Sequence, residues 1–393
     1  MNDEKNNEAR AELNKELDAP LVSKELRAVF RAKRKQQQKS VFKNSVVDGL
    51  WAYRTHGVES GLFKAEYFDE KYSNPLKPSV FKKESAGHNV LLCPDADNQH
   101  RTAILGEIPS SRRDKGGDGG ARHRWFRSMS SSQALALSVF GNLKHHDKKL
   151  RLLDGLVGTD GQPLFIRDDN EVECKLEFES KVLNEPRPTS IDVFFQGDYQ
   201  VTVECKFCEV EVGTCSRPRE KEKPEEHCYK GDLDLHPDNQ QLIERFVEMK
   251  KEAEARGAKL TYHHDCILSG LGIKYWEFIP QLFNDSWSTD ITETPCPLRM
   301  SYQLVRNILI ACVRDGKADP KNGHAVLLYD QRNPAFQVGG KGRKAFDQVR
   351  DGLKDENKNL MQECTWQQIV GAIRKDTEMS WLVAALRDKY GIE

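Results

Sequence analysis

Asp192, Glu204 and Lys206 stand in the segment TSIDVFFQGDYQVTVECKF, two carboxylates and an amine spread over two short runs of alternating apolar residues. In the first run Ile191, Val193 and Phe195 are apolar; in the second, Val201, Val203, Cys205 and Phe207 are. Side chains alternate between the faces of a strand, so both apolar sets share one face of a hairpin when the numbers of facing residues add to an even value. A three-residue connection, Gln196–Asp198, meets that condition by pairing Phe195 with Tyr199. Asp192 then lies opposite Thr202, with Glu204 as its diagonal neighbour and Lys206 further along the same face. The apolar pattern alone gathers the three on one polar surface.

Hard oxygens from Asp192 and Glu204, with the carbonyl of Cys205 beside them, suit Mg²⁺ or Mn²⁺, ions that keep several waters and also take phosphate oxygens. Such an ion acidifies a bound water and neutralises charge developing on a phosphodiester under attack. Lys206 is placed to orient or help deprotonate that water, or to stabilise negative charge. The chemistry indicated is phosphodiester hydrolysis. E-x-K by itself is common: the chain also holds Glu173-Cys174-Lys175 and Glu248-Met249-Lys250. The first of these follows Asp168 and Asp169 too closely for a separate paired strand. An exposed sheet face of ordinary Asp, Glu and Lys alternates in the same way, and the elements around the hairpin favour the metal site over it.

Those elements are read from periodicity. Ser130–Leu143 has apolar residues on nearly every side and serines in front to cap it, which predicts a buried helix. Val172–Phe178 alternates as a strand, and Ile191–Phe195 and Val201–Phe207 follow. Asp238–Arg256 predicts an amphipathic helix, Leu260–Leu268 a strand and 297–313 another helix; 314–393 continues as α/β and ends in helices at Thr365–Ile373 and Met379–Tyr390. The order helix, three strands, helix, strand predicts an α/β fold around a mixed sheet.

The D-x11-E-C-K pattern, together with HRWFRSMSSSQALALSVFGNL, FESKVLNEPRPTSIDVFF and VECKFCEVEVGTCSRP, resembles the PD-(D/E)xK nucleases, the fold of restriction endonucleases and many repair nucleases. Within them it is similar to a bacterial group of restriction-endonuclease-like proteins. The resemblance covers roughly residues 120–315. It implies a restriction-endonuclease-like core: helix, three-stranded antiparallel meander, helix, then a strand in a mixed sheet. Asp192 and Glu204 would hold Mg²⁺ or Mn²⁺, Lys206 would be the catalytic lysine, and DNA would be cut endonucleolytically in restriction, defence or repair. Many such nucleases carry an acid on the first core helix, where this chain offers Gln133. Glu179 is the substitute metal ligand, with Glu177 reading rather as a solvated strand residue. The competing expectation is a catalytically silent scaffold that binds nucleic acid or a protein.

Similar nucleases sometimes carry a four-cysteine staple, which here implies a zinc ion or iron–sulfur cluster on Cys215, Cys228, Cys266 and Cys296; loop or buried cysteines are the alternative. Cys93, Cys174, Cys312 and Cys364 read as core residues. The pairs His145-His146 and His263-His264 read as surface or hinge residues, and Gly339–Lys344 lacks the spacing of a phosphate loop.

With 60 Lys and Arg against 61 Asp and Glu, the chain of 393 residues carries a net charge of −1, which excludes a globally basic nucleic-acid coat. Contact with DNA, or with RNA in its place, must come from local clusters. One is the loop around GGDGG with Arg112, Arg113, Arg122, Arg124 and Arg127, interleaved with Trp125 and Phe126; a second is Arg31–Lys39. Basic loops of this kind also serve solubility alone. Ten cysteines behind the polar start MNDEKNNEAR argue against a disulfide framework and for a cytoplasmic protein. No apolar run exceeds Ile308–Val313, so no membrane span is expected. The organisation expected is a charged, helical or partly disordered arm at 1–40, an N-terminal subdomain with the basic loop at 41–119, the nuclease core at 120–315 and a C-terminal α/β appendage at 316–393. A homodimer is compatible with all of this.

Overall fold

The computed structural model describes residues 24–109, 122–146, 149–167, 172–185, 190–215, 251, 255, 266–270, 272–287 and 296–393, with the side chains of 24–40, 267 and 270 excepted. A long helix α1 (Lys24–Glu59) opens this part and packs on the last helix of the chain. After α2 (Asn98–Gly106) comes the buried helix expected from the sequence. This helix, α3, runs Ser132–Ala136, passes through a π-helical turn at Leu137–Gly141 and finishes at Asn142–His145. Ser131 starts it: its Oγ accepts the Ala134 N–H at 3.3 Å, satisfying one of the donors a helix leaves open.

Three antiparallel strands follow, β1 (Glu173–Glu179), β2 (Ser190–Gln196) and β3 (Gln200–Cys205). Two further strands, β4 (Gly323–Tyr329) and β5 (Met361–Thr365), run parallel to β3, giving one mixed sheet in the order β1-β2-β3-β4-β5. All seven residues of β4 are buried, as befits an inner parallel strand covered on both faces. Gly323 is required where β4 begins, because a Cβ there would lie 2.2 Å from the carbonyl oxygen of Gln200.

Helices cover both faces. On one, α3, α7 (Trp366–Ile373) and α8 (Ser380–Tyr390) pack over the odd-numbered residues Val193, Phe195, Val201, Val203 and Cys205. A capping box between Thr365 and Gln368 fixes the start of α7, and Gly391, in the left-handed region, ends α8. On the other face, α4 (Tyr275–Leu282), α5 (Leu298–Cys312) and α6 (Lys341–Gly352) enclose a second core with Phe194, Ala325, Leu327 and Met361; α5 lies directly over β3 and β4.

Two sequence expectations are corrected here. Residues 316–393 do not stand apart as an appendage: β4 and β5 belong to the same sheet as the hairpin. The neighbour of β3 is β4 and not a strand at Leu260–Leu268, where Ile267–Gly270 is a helical turn and 260–265 lie outside the described residues. An apolar run of that length fits a buried helical turn as well as a strand. The helix expected at Asp238–Arg256 also falls almost wholly outside the described residues. Among the described residues no helix is long and apolar enough to cross a membrane.

Candidate active site

Parity in the hairpin is as the apolar pattern requires, but the register is shifted by two. Phe195 pairs with Val201 and Val193 with Val203, so the connection is Gly197–Tyr199 rather than Gln196–Asp198. Carried one residue further, this register sets Asp192 directly across from Glu204 instead of diagonal to it. The shift keeps the apolar face intact, which is why alternation could not distinguish the two registers. Asp192 Oδ2 accepts the Cys205 N–H at 2.6 Å, tying the carboxylate to the strand opposite.

The polar surface is not the exposed sheet face of the competing reading: it is covered. Glu204 is 2 % and Lys206 8 % exposed, while Asp192 keeps partial contact with solvent. The cover is α5, whose Gln303, Arg306 and Asn307 form one stripe at helical spacing. Asn307 Nδ2 donates to Glu204 Oε2 at 3.1 Å, and the Asn307 carbonyl accepts the Thr202 hydroxyl at 3.0 Å. Lys206 Nζ donates to Glu204 Oε1 at 2.7 Å and to Gln303 Oε1 at 3.3 Å. Arg306, fully buried, comes within 3.7 Å of Glu204 Oε2 and donates to the Ser190 carbonyl at 3.2 Å. Lys206 itself follows the last residue of β3; its N–H bonds the Leu328 carbonyl and its carbonyl accepts Trp366 Nε1.

A third carboxylate joins from β1, and it is Glu177, not Glu179. Glu177 has φ +51°, a left-handed conformation uncommon for a residue other than glycine and here in mid-strand. Its place in the ladder is skipped: Leu176 pairs with Val193 and Phe178 with Ile191. Across that break the strand changes face, for Cys174 and Leu176 join the core under α3 whereas Phe178 stacks on Phe194 in the core under α5. Glu177 is thereby 4 % exposed, and it accepts hydrogen bonds from the Ser190 hydroxyl and the Gln133 amide. Gln133 Oε1 in turn accepts the His123 N–H at 2.9 Å. Gln133 therefore reaches the site through Glu177, while Glu179 stays half-buried at the strand end.

Crowding three carboxylates under a helix has electrostatic consequences. Burial first, then repulsion from Glu204 and Glu177, pushes the Asp192 carboxyl well above the usual range, against the pull of Lys206. Burial, with Glu204 nearby, pushes Glu177 up to about 7 despite its two hydrogen bonds. Burial opposes charge on Lys206, but Glu204, Asp192 and Glu209 outweigh it and hold the ammonium above an ordinary lysine.

Other expected residues are dispersed. Arg122 donates to the Ile108 and Leu105 carbonyls and lies on the Phe126 ring, and Arg127 pairs with Asp69 at 2.7 Å; both arginines are internal supports, whereas Arg124 is exposed. Arg112 and Arg113 lie outside the described residues, as does Cys228. Cys266 is buried, and Cys215 and Cys296 pack half-buried on the same core, their segments bridged by Arg299 through backbone hydrogen bonds. Among the described residues no three His, Cys, Asp or Glu side chains converge as a ready metal cage. Cys174, Cys312 and Cys364 are buried as expected, and Cys93 is half-buried. His145 is a partner rather than a surface residue: it and Lys144 both bond Glu107.

Sequence reasoning missed the stripe on α5, although Gln303, Arg306 and Asn307 interrupt an otherwise apolar helix at i, i+3 and i+4, a readable signal. Nothing in the sequence marks the backbone reversal at Glu177. A family profile described as restriction endonuclease associating with ARP matches residues 64–391. The chain belongs to that family. No curated protein and no solved structure matches it.

Proposed function

We propose that this restriction-endonuclease-related chain is a divalent-metal-dependent deoxyribonuclease working at the centre formed by Asp192, Glu204 and Lys206, on a restriction-endonuclease-like core. The observation that carries the reading is the facing of Asp192 and Glu204 across the hairpin, with the Lys206 ammonium 2.7 Å from Glu204. The family's description supports DNA as the substrate.

The donor chemistry suits a hard cation: carboxylate oxygens of Asp192 and Glu204 and the carbonyl of Cys205 are oxygen ligands of the kind Mg²⁺ and Mn²⁺ take, with Glu177 beside them rather than converging on one point. When bound, the ion supplies an acidified water and charge neutralisation at the phosphate. The protein's own groups do the rest. Asp192, partly open to solvent, faces the side from which a phosphodiester arrives. Lys206 stays cationic at neutral pH and meets negative charge on the non-bridging oxygens or orients the attacking water. Glu177 exchanges a proton near neutrality, and Gln133 holds it in place. Arg124 is the exposed member of the basic cluster available to a DNA backbone.

A second, structural metal on Cys215, Cys228, Cys266 and Cys296 is the further part of the proposal; Cys215, Cys266 and Cys296 border one core without converging as a metal cage. The competing reading, a silent scaffold, draws on the Lys206 ammonium being tied to both Glu204 and Gln303. Supercoiled plasmid separates the two. The proposal expects nicking or linearisation in Mg²⁺ or Mn²⁺, none with a chelator, and none by Asp192→Asn. Unchanged plasmid in every metal, with DNA still bound, would establish the scaffold.

A further inference from the structure

Trp125 is 39 % exposed, whereas Trp276, Trp287 and Trp366 are buried. An indole left in water costs free energy unless it has a partner, so its setting matters. It is held firmly. Phe126 beside it is buried in the core, and the Trp125 main-chain N–H donates to His123 Nδ1 at 3.3 Å. The Tyr72 ring meets it edge-on, centroids 5.8 Å apart, and Tyr72 is itself fixed under the Arg127 guanidinium that Asp69 anchors. Arg124 lies over the indole at 5.4 Å from its centroid and is exposed. Lys71, next to Tyr72, is exposed as well. An oriented aromatic ring flanked by exposed cations is the arrangement that binds a nucleobase by stacking while charges follow its backbone.

The place of this ring gives it meaning. His123, two residues earlier, donates its N–H to Gln133, and Gln133 bonds Glu177 in the candidate centre. Two residues of chain, at most ~7 Å, and the side chains of Gln133 and Glu177 lie between the indole and that centre, a path on the order of a few nucleotides rather than one. We infer that Trp125, capped by Arg124, is a stacking platform for an unpaired nucleobase a few nucleotides from the scissile phosphodiester, so that the substrate is DNA carrying a single-stranded stretch beside the cut. This rests on the nuclease reading for the word scissile and on the geometry of 123–125 for the platform. Bases within an intact duplex are already stacked and present no free face, which is why the platform selects an unpaired one.

The test reads binding without catalysis. A labelled single-stranded oligonucleotide and its fully paired duplex are titrated with the full chain in a chelator, following label anisotropy and tryptophan emission. The platform predicts quenching of Trp125 emission by the single strand. Trp125→Ala weakens single-strand binding roughly 5- to 150-fold, the range for one base on one aromatic ring. Duplex binding changes less than about twofold, and Trp125→Phe keeps most of the affinity because it keeps a π-face. An unchanged melting temperature of Trp125→Ala shows that the fold is intact. Equal single-strand affinity for wild type and Trp125→Ala overturns the inference, as does an absence of nucleic-acid binding by the wild type. A wild type that binds and quenches but never cuts leaves the platform standing and removes the nuclease reading. Cutting with unaltered Trp125→Ala binding does the opposite.

Discussion

Lys206 and Lys389 are both buried, one at the hairpin and one on α8, and their surroundings differ in a single respect. Lys206 has Glu204 at 2.7 Å, with Asp192 and Glu209 close by. Lys389 donates to the main-chain carbonyl of Asn89 and to its Oδ1 at 2.9 Å, and among the described residues no carboxylate pairs with it. Removal from water opposes charge on each ammonium. At the hairpin neighbouring carboxylates reverse that effect, whereas at α8 burial pushes Lys389 down to about 7. The difference teaches what the hairpin is built for. Its acids keep a lysine charged, and their crowding holds the carboxyls of Asp192 and Glu177 above the ordinary range; the α8 site joins the last helix to Asn89 and needs no charge.

The comparison breaks first in the unfolding of methionine variants. Lys206→Met strands Glu204 under α5 and should cost about 3–5 kcal/mol in urea unfolding at pH 8. Lys389→Met strands only neutral oxygens and should cost roughly 1–2 kcal/mol. Equal losses would mean that the acids do not set Lys206 apart.

The pH dependence sharpens it. Lys389 is held below its unfolded value of 10.5, so between about pH 7 and 10 the unfolded chain binds the extra proton and stability rises with pH. Lys389→Met should remove that rise, of order 3 kcal/mol. Glu177 works in the opposite sense. Its folded pKa of about 7 exceeds the 4.5 of a free glutamate, so the stability it contributes is full below pH 4.5 and is lost as pH rises through 7. Glu177→Gln should abolish that fall in the same melting series.

Added Mg²⁺ or Mn²⁺ should raise stability by roughly 2–3 kcal/mol at a hundred times its Kd, and Asp192→Asn should erase the gain. The smallest effect expected is at Thr202→Val, about 1 kcal/mol for a hydroxyl that donates to the Asn307 carbonyl, measured by urea unfolding.

The sequence displays some of this directly. Alternation in Ile191–Phe195 and Val201–Phe207 put Asp192, Glu204 and Lys206 on one face because burying seven apolar side chains admits one parity. The same pattern is blind to a shift of two, which moves no side chain to the other face, so only the folded hairpin brings Asp192 to face Glu204. Glu177 was hidden for a different reason: a backbone reversal in mid-strand leaves no mark on residue type. β4, GHAVLLY, lies in the stretch 314–393 read only as further α/β, and its pairing with β3 left no sign there, since a parallel neighbour is set by a long crossover rather than by a turn. The stripe on α5 was present in the helical spacing, and its role emerged once α5 was seen to lie on β3.

Cleavage of supercoiled plasmid in Mg²⁺, compared between wild type and Lys206→Ala at protein concentrations giving equal DNA occupancy, bears most directly on the catalytic centre. Loss of cutting by at least about a hundredfold in Lys206→Ala, with DNA binding retained, is the predicted result. Equal cutting by both proteins would contradict it.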